Sequence, residues 1–249
     1  MRSYTNYYAF IDIEGSIRFQ GPFLEPGHMT LGVAPLLFLN LYNVKNKYVL
    51  FLFLSQLFSF SLAGYIILII GYTIVLLTAN LNRKLINFLL PIVLFAGVLL
   101  LAATVYKEDL FKELILERLE WDGTSIAGDN RSSDFLDSEY DRLTHSDQKW
   151  FGTEWEAESS SKGVAGYKLY FVQYGIIGIL LVLLSYIYAN RVLSKKNTSE
   201  WGFLLILLLI LYQNAYPLWW CLLIEVVCGN AYLNEQLKDS ILVATEKRK

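Results

Sequence analysis

Residues 48–79 form one run of 32 residues, almost all apolar. A single helix of that length would be about 48 Å long, while a bilayer core is about 30 Å thick. The run is therefore too long for one comfortable crossing and too apolar for a soluble helix. Its middle reads SQLFSFSLAG, with Ser55, Gln56, Ser59, Ser61 and Gly64. A tight reversal there gives two short spans, about 47–59 and 62–79.

Similar blocks fill much of the chain. Residues 29–42 form a short first span, and 85–106 a clear one with Pro91 as a kink. Residues 165–190 span again. Residues 201–228 are read as one kinked span or as a hairpin of two short ones, because QNAYP interrupts them. The chain is 55% hydrophobic and only 18% charged, where a soluble domain is nearer a quarter charged. The expected fold is an all-α integral membrane protein, a polytopic helical bundle of about 6–7 spans. Residues 1–28 form an outer segment leading into the first span, 29–106 a four-span block, and 107–163 an outer acidic loop. Residues 164–228 form a second membrane block of 2–3 spans, and 229–249 a cytoplasmic tail.

Charge sets the sidedness. Between residues 29 and 106 the charged residues are Lys45, Lys47, Arg83 and Lys84, in two short loops. Both loops can lie inside, as positive loops do, only if 48–79 crosses twice. Residues 107–163 carry seven Lys/Arg against fifteen Asp/Glu, and they fall outside. RVLSKK falls inside, and the C-terminal EKRK favours the hairpin at 201–228. Charges cluster at the outer face, and no internal repeat is apparent. Residues 1–28 lie outside with no signal peptide ahead of them. This leads to the expectation that the chain is the C-terminal part of a longer polytopic protein, or that its start is misassigned.

The outer segments hold the residues suited to chemistry. GSIRFQGPFLEPGH carries Arg18, Glu25 and His28. An arginine can hold phosphate through two parallel hydrogen bonds. Glu25 and His28 can position or deprotonate a hydroxyl. The alternative for this stretch is an interfacial loop with solvated charges. KEDLFKELILERLE sets Phe111, Leu114, Ile115 and Leu119 on one helical face, suited to the membrane surface or the bundle. Residues 128–156 bring Arg131, Arg142, His145 and Glu154 among Trp150 and Trp155. Cations, carboxylates and aromatic faces in one loop suit a phosphorylated glycan. A solvated outer loop is the alternative there. Lys168 lies at the head of the next span, as a functional polar group or as a snorkelling one, and Gly175 and Gly178 allow close helix packing. Cys221 and Cys228 are too far apart on a helix for a disulfide and read as small packed hydrophobes. No metal-ligand spacing occurs, and no basic tract points to nucleic acid.

RFQGPFLEPGH resembles the Arg-Phe-x-Gly-x-Phe-x-Glu-Pro-Gly motif of bacterial polysaccharide polymerases of the O-antigen polymerase and ligase superfamily. The SFSLAGYI junction, Arg131 in the long loop, WFGTEW, YGIIG and LYQNAYPLWWCLLI follow in an order similar to that family's. The resemblance covers about residues 15–228. It implies a GT-C-like glycosyltransferase of the bacterial cytoplasmic (inner) membrane that needs no metal and no cofactor. It implies an undecaprenyl-pyrophosphate-linked oligosaccharide as donor, with membrane lipids, a chain-length regulator and a flippase as partners. Arg18 would hold the pyrophosphate, with Arg131 or Arg142 across a cleft from it. Glu25, His28 or His145 would orient or deprotonate the attacking hydroxyl. Trp150, Trp155, Glu154 and Lys168 would bind substrate. Two features depart from the family: it has about twice as many spans, and no Arg here opens its Arg-x10-Gly pattern. The same residues leave open an O-antigen ligase, a polysaccharide transporter or flippase component, and an inactive fragment.

Overall fold

Pro26 fixes where the first helix begins, because proline at the first helical position lacks only an N–H that would be unpaired anyway. In the computed structural model, α1 runs Pro26–Leu39, with Glu25 extended ahead of it. The structure describes residues 4–8, 10–13, 16–23, 25–78, 91–92, 96–97, 133–154, 166–193, 199–213 and 220–246. The expectations for 80–84, most of 85–106, the 107–120 helix, Arg131, Trp155 and QNAYP lie outside the described residues. The chain divides into two units, residues 1–129 and 130–249.

In the first unit, three short strands precede α1: β1 (Tyr4–Tyr7), β2 (Phe10–Ile13) and β3 (Ser16–Phe19). They form an antiparallel sheet in sequence order, with Phe10 opposite Phe19 and Ile11 opposite Arg18. Two-residue connections favour hairpins with positive φ, and Tyr8 has φ 54°. The all-α expectation did not include this sheet; the rest of the described fold is helical.

Leu41 and Tyr42, both near φ 50°, end the chain's path out of α1. Asn46 then caps α2 (Lys47–Phe58) by accepting from Tyr48 N–H. α3 (Leu62–Thr78) follows. The apolar run thus breaks at residues 59–61, inside SQLFSFSLAG. Phe60 takes a left-handed conformation there, at φ 47°. Gly64 lets α3 lie against α1, since a Cβ on it would come within 2.8 Å of Thr30 Cβ.

In the second unit, Ser133 caps α4 (Asp134–Thr144) by accepting from Leu136 N–H. Leu136, Tyr140 and Leu143 recur at helical spacing and pack with Leu169, Val172 and Phe171. A 3-10 turn, Asp147–Trp150, follows. Then come α5 (Gly166–Leu193), α6 (Ser199–Gln213) and α7 (Trp220–Glu246).

Contacts fix the directions of these helices. Tyr167 at the start of α5 stacks on Tyr212 at the end of α6, so the two run antiparallel. Asn190 bonds Asn230, and the Leu193 carbonyl accepts from Asn234, so α7 runs parallel to α5. Residues 201–228 therefore enter two antiparallel helices. The second continues to Glu246, well past residue 228.

Among the described residues, α5 is the helix long and apolar enough to cross a membrane. Four shorter apolar helices accompany it: α1, α2, α3 and most of α6. Glu225, a charged side chain, is buried in the middle of an apolar stretch of α7.

Candidate functional site

The motif RFQGPFLEPGH folds as the end of β3, a turn and the start of α1. Gly21 has φ +58°, and Phe23 N–H donates to the Gln20 carbonyl across the turn. Side chains alternate along a strand. Phe19 accordingly meets Phe10 edge to face, while Arg18 and Gln20 are buried on the other side.

Arg18 is only 9% exposed. Its Nε donates to the Ser59 carbonyl at 2.9 Å, and its Nη2 to the Phe60 carbonyl at 3.0 Å. Those carbonyls close the C-terminal end of α2, where a cation is favourable. Around them lies a set of buried polar groups. Gln56 Nε2 donates to the Gly64 carbonyl at 2.7 Å, Tyr65 donates to the Leu57 carbonyl at 2.6 Å, and Ser59 donates to the Gln56 carbonyl. Ser61 Oγ accepts from Gly64 N–H. The Ser-rich junction and the Arg of the opening motif are thus one structure. Glu25 and His28 lie elsewhere on the motif, at the start of α1. Glu25 is exposed, makes no side-chain cap bond, and accepts from Met29 N–H through its backbone. His28 is half-buried.

In the second unit, Arg142 is exposed at the end of α4. Nε and Nη2 grip the Glu139 carboxylate, the shorter contact being 2.8 Å, and Nη1 reaches Gln148 Oε1 at 3.4 Å. The hydrogen bond and charge of Glu139 hold this guanidinium above its ordinary pKa. His145 caps α4, with Nδ1 2.8 Å from the Asp141 carbonyl, and is exposed. Trp150 and Glu154 are exposed, and Phe151 is 75% exposed. Arg142, His145, Trp150 and Phe151 therefore fall on one short path, α4 and the 3-10 turn after it.

This path is pinned to α5 at a break. Gly175 has φ +62° and ψ −171°, which no L-residue adopts readily. A Cβ there would lie 2.5 Å from Gly152 N, and one on Gly152 would lie 2.6 Å from the Gln173 carbonyl. Thr153 N–H donates to the Val172 carbonyl at 2.7 Å. The Phe-Gly and Tyr-Gly-Ile-Ile-Gly elements thus meet backbone to backbone. Gly175 serves this break rather than helix-on-helix packing. Lys168 pairs with Asp137 at 2.7 Å, tying α5 to α4.

Beside the Tyr167–Tyr212 stack, α5 and α6 line a half-open cavity of about 210 Å³. Tyr170 and Tyr174 line it with Val182, Leu183 and Leu208. Neither this cavity nor Glu225 was among the candidates read from sequence. Glu225 has a sequence signal, as the one charged residue within 201–228. Cys228, read as a packed hydrophobe, is exposed on α7.

No family profile matches the chain, and no curated protein and no solved structure matches it either.

Proposed function

We propose that the chain is a multi-pass glycosyltransferase of a bacterial inner membrane, which polymerises undecaprenyl-pyrophosphate-linked oligosaccharides outside the cytoplasm. The reading rests on the motif order. One observation supports it most: the resemblance-bearing segments are also the segments that build the junctions of each unit. Arg18 of RFQG reaches the Ser59 and Phe60 carbonyls, and Gly152 of WFG meets Gly175 of YGIIG. Short apolar helices flanking such junctions suit a bundle of about 6–7 spans.

In this reading an acceptor sugar hydroxyl attacks the anomeric carbon of the donor, and lipid pyrophosphate leaves. Stabilising the charge that grows on that leaving group is the main demand. Arg142 is suited to it, since an exposed pair with Glu139 is cheaply exchanged for a phosphate. Arg18 is assigned a positioning role, because two of its donors hold the α2–α3 reversal. His145, on the same path as Arg142, orients the hydroxyl. Trp150 offers an aromatic face to a sugar ring, and Glu154 accepts from its hydroxyls. The apolar cavity between α5 and α6 takes part of the prenyl chain.

The exposed His145 favours the ligase as second reading, with the same donor and a lipid or protein acceptor. Membranes carrying the chain and supplied with the lipid-linked oligosaccharide discriminate the two. A polymerase yields a ladder of repeats on a gel; a ligase yields one transfer onto an added acceptor and no ladder. Arg142→Ala is expected to remove the ladder while the thermal midpoint stays at the wild-type value. A wild-type chain that gives neither product sinks the reading, and an undiminished ladder from Arg142→Ala sinks the role of Arg142.

A further inference from the structure

The seam between α5 and α7 carries polar groups that glycosyl transfer does not use. Two hydrogen-bonded contacts tie the parallel helices together. Tyr186 lies within electrostatic reach of Glu225. One turn on, Asn230 Nδ2 donates to Asn190 Oδ1 at 3.0 Å and to the Val226 carbonyl at 2.8 Å. Beyond that, Asn234 donates to the Leu193 carbonyl at 2.6 Å.

Two acceptors remain. Glu225 is 9% exposed and Asn230 is 0% exposed. Glu225 Oε2 and Asn230 Oδ1 are buried with no hydrogen-bond partner among the described residues. A carboxylate oxygen taken out of water without a partner is costly, and a buried ionisable group in an apolar helix is functional by default. A seam with acceptors in excess is complemented by a positive charge.

We propose that the α5–α7 seam is an internal cation site. Glu225 takes up one positive charge there, supplied as a proton or as a sodium ion. Among the described residues, Tyr186 is the titratable side chain of α5 that faces Glu225. Arg191 of α5 and Cys228, Tyr232 and Glu235 of α7 are exposed. On α6, Tyr212 is stacked on Tyr167. The site does not depend on the glycosyltransferase reading.

The test uses the purified 249-residue chain in detergent, wild type beside Glu225→Gln, an isosteric change that removes the charge. If a proton is the ligand, the folded chain binds it more tightly than the unfolded chain. Wild-type stability then falls relative to Glu225→Gln as pH rises from about 5 to about 8, by up to tenfold in the unfolding constant per pH unit. If sodium is the ligand, replacing N-methylglucamine by sodium at about pH 8 stabilises wild type and leaves Glu225→Gln unchanged. Parallel curves for the two chains in both series overturn the proposal. Should Glu225→Gln fail to fold, infrared difference spectra of wild type decide. Either a protonated-carboxyl band grows on acidification or a carboxylate band shifts with sodium; the absence of both overturns the site.

Discussion

Arg18 shows how a residue's type can point to one role and its surroundings to another. In the sequence it is a cation beside turn residues at the lip of an apolar run, which suits a pyrophosphate. In the fold its Nε and Nη2 are bonded to two carbonyls 41 and 42 residues away. A buried hydrogen bond to a charged group contributes about 1.5–3 kcal/mol. Arg18→Ala is therefore expected to destabilise the first unit by about 3 kcal/mol or more, and Arg18→Lys, which can keep one bond, by about half as much. Thermal unfolding of the purified variants measures this. An Arg18→Ala chain as stable as wild type would show that the two bonds are dispensable, and would return Arg18 to the ligand-binding candidates. Arg142 differs in the opposite way. Its partner Glu139 lies one turn back on the same exposed helix, and Gln148 on the turn that follows, so its bonds are local. Glu225 was readable as a lone carboxylate in LLIEVVCGN. Its burial was not, because helical spacing gives the face a residue occupies but not what covers that face.

At the scale of elements, the decisive contact is the crossing of Gly152 and Gly175. Both have positive φ; a Cβ on Gly175 would meet the 150–152 backbone, and one on Gly152 the 172–173 backbone. Gly175→Ala combines an alanine in backbone space that is essentially glycine's alone, costing about 1–3 kcal/mol, with a clash that no side-chain movement relieves. The α5 break should shift and release the 147–154 segment. The expected outcome is a lower thermal midpoint and faster tryptic cleavage after Lys149; a variant with wild-type cleavage and midpoint would show that the crossing is not what holds the segment. The sequence displays YGIIG plainly, yet its glycine spacing fits helix packing equally well. Only the partner, 23 residues earlier, determines which. The reversal at 59–61 was legible for a different reason: a run of 32 apolar residues must break, and Ser and Gly mark where. The sheet of YTNY, FIDI and SIRF escaped notice because each strand has four residues, too few for alternation to register. α4 escaped because Leu136, Tyr140 and Leu143 stand alone among acidic neighbours, although their spacing is helical.

For the whole molecule, apolar length and charge placement argue for several crossings, while the described helices contain one that qualifies by itself. The difference lies in how the apolar residues are divided. α1, α2 and α3 have 14, 12 and 17 residues, so they reach about 21, 18 and 26 Å, short of an average core of about 30 Å. Short spans are accommodated by local thinning of the bilayer or by flanking residues that snorkel. Tyr48, exposed at the start of α2 beside Lys47, would have that part in the multi-pass reading. The parallel register of α5 and α7 adds a constraint: if α5 crosses outward to inward, α7 must run the same way, and α6 must return between them. Single-cysteine reporters test this in a chain with Cys221 and Cys228 replaced by serine. Ser138→Cys on α4 is expected to react with an impermeant maleimide applied to intact spheroplasts. Lys45→Cys, between α1 and α2, and Lys196→Cys, between α5 and α6, are expected to react only after permeabilisation. Labelling of all three in intact cells would mean that neither α5 nor the α1–α3 block crosses as charge predicts. Protection of Lys196→Cys alone would keep the crossing of α5 and remove those of the first unit.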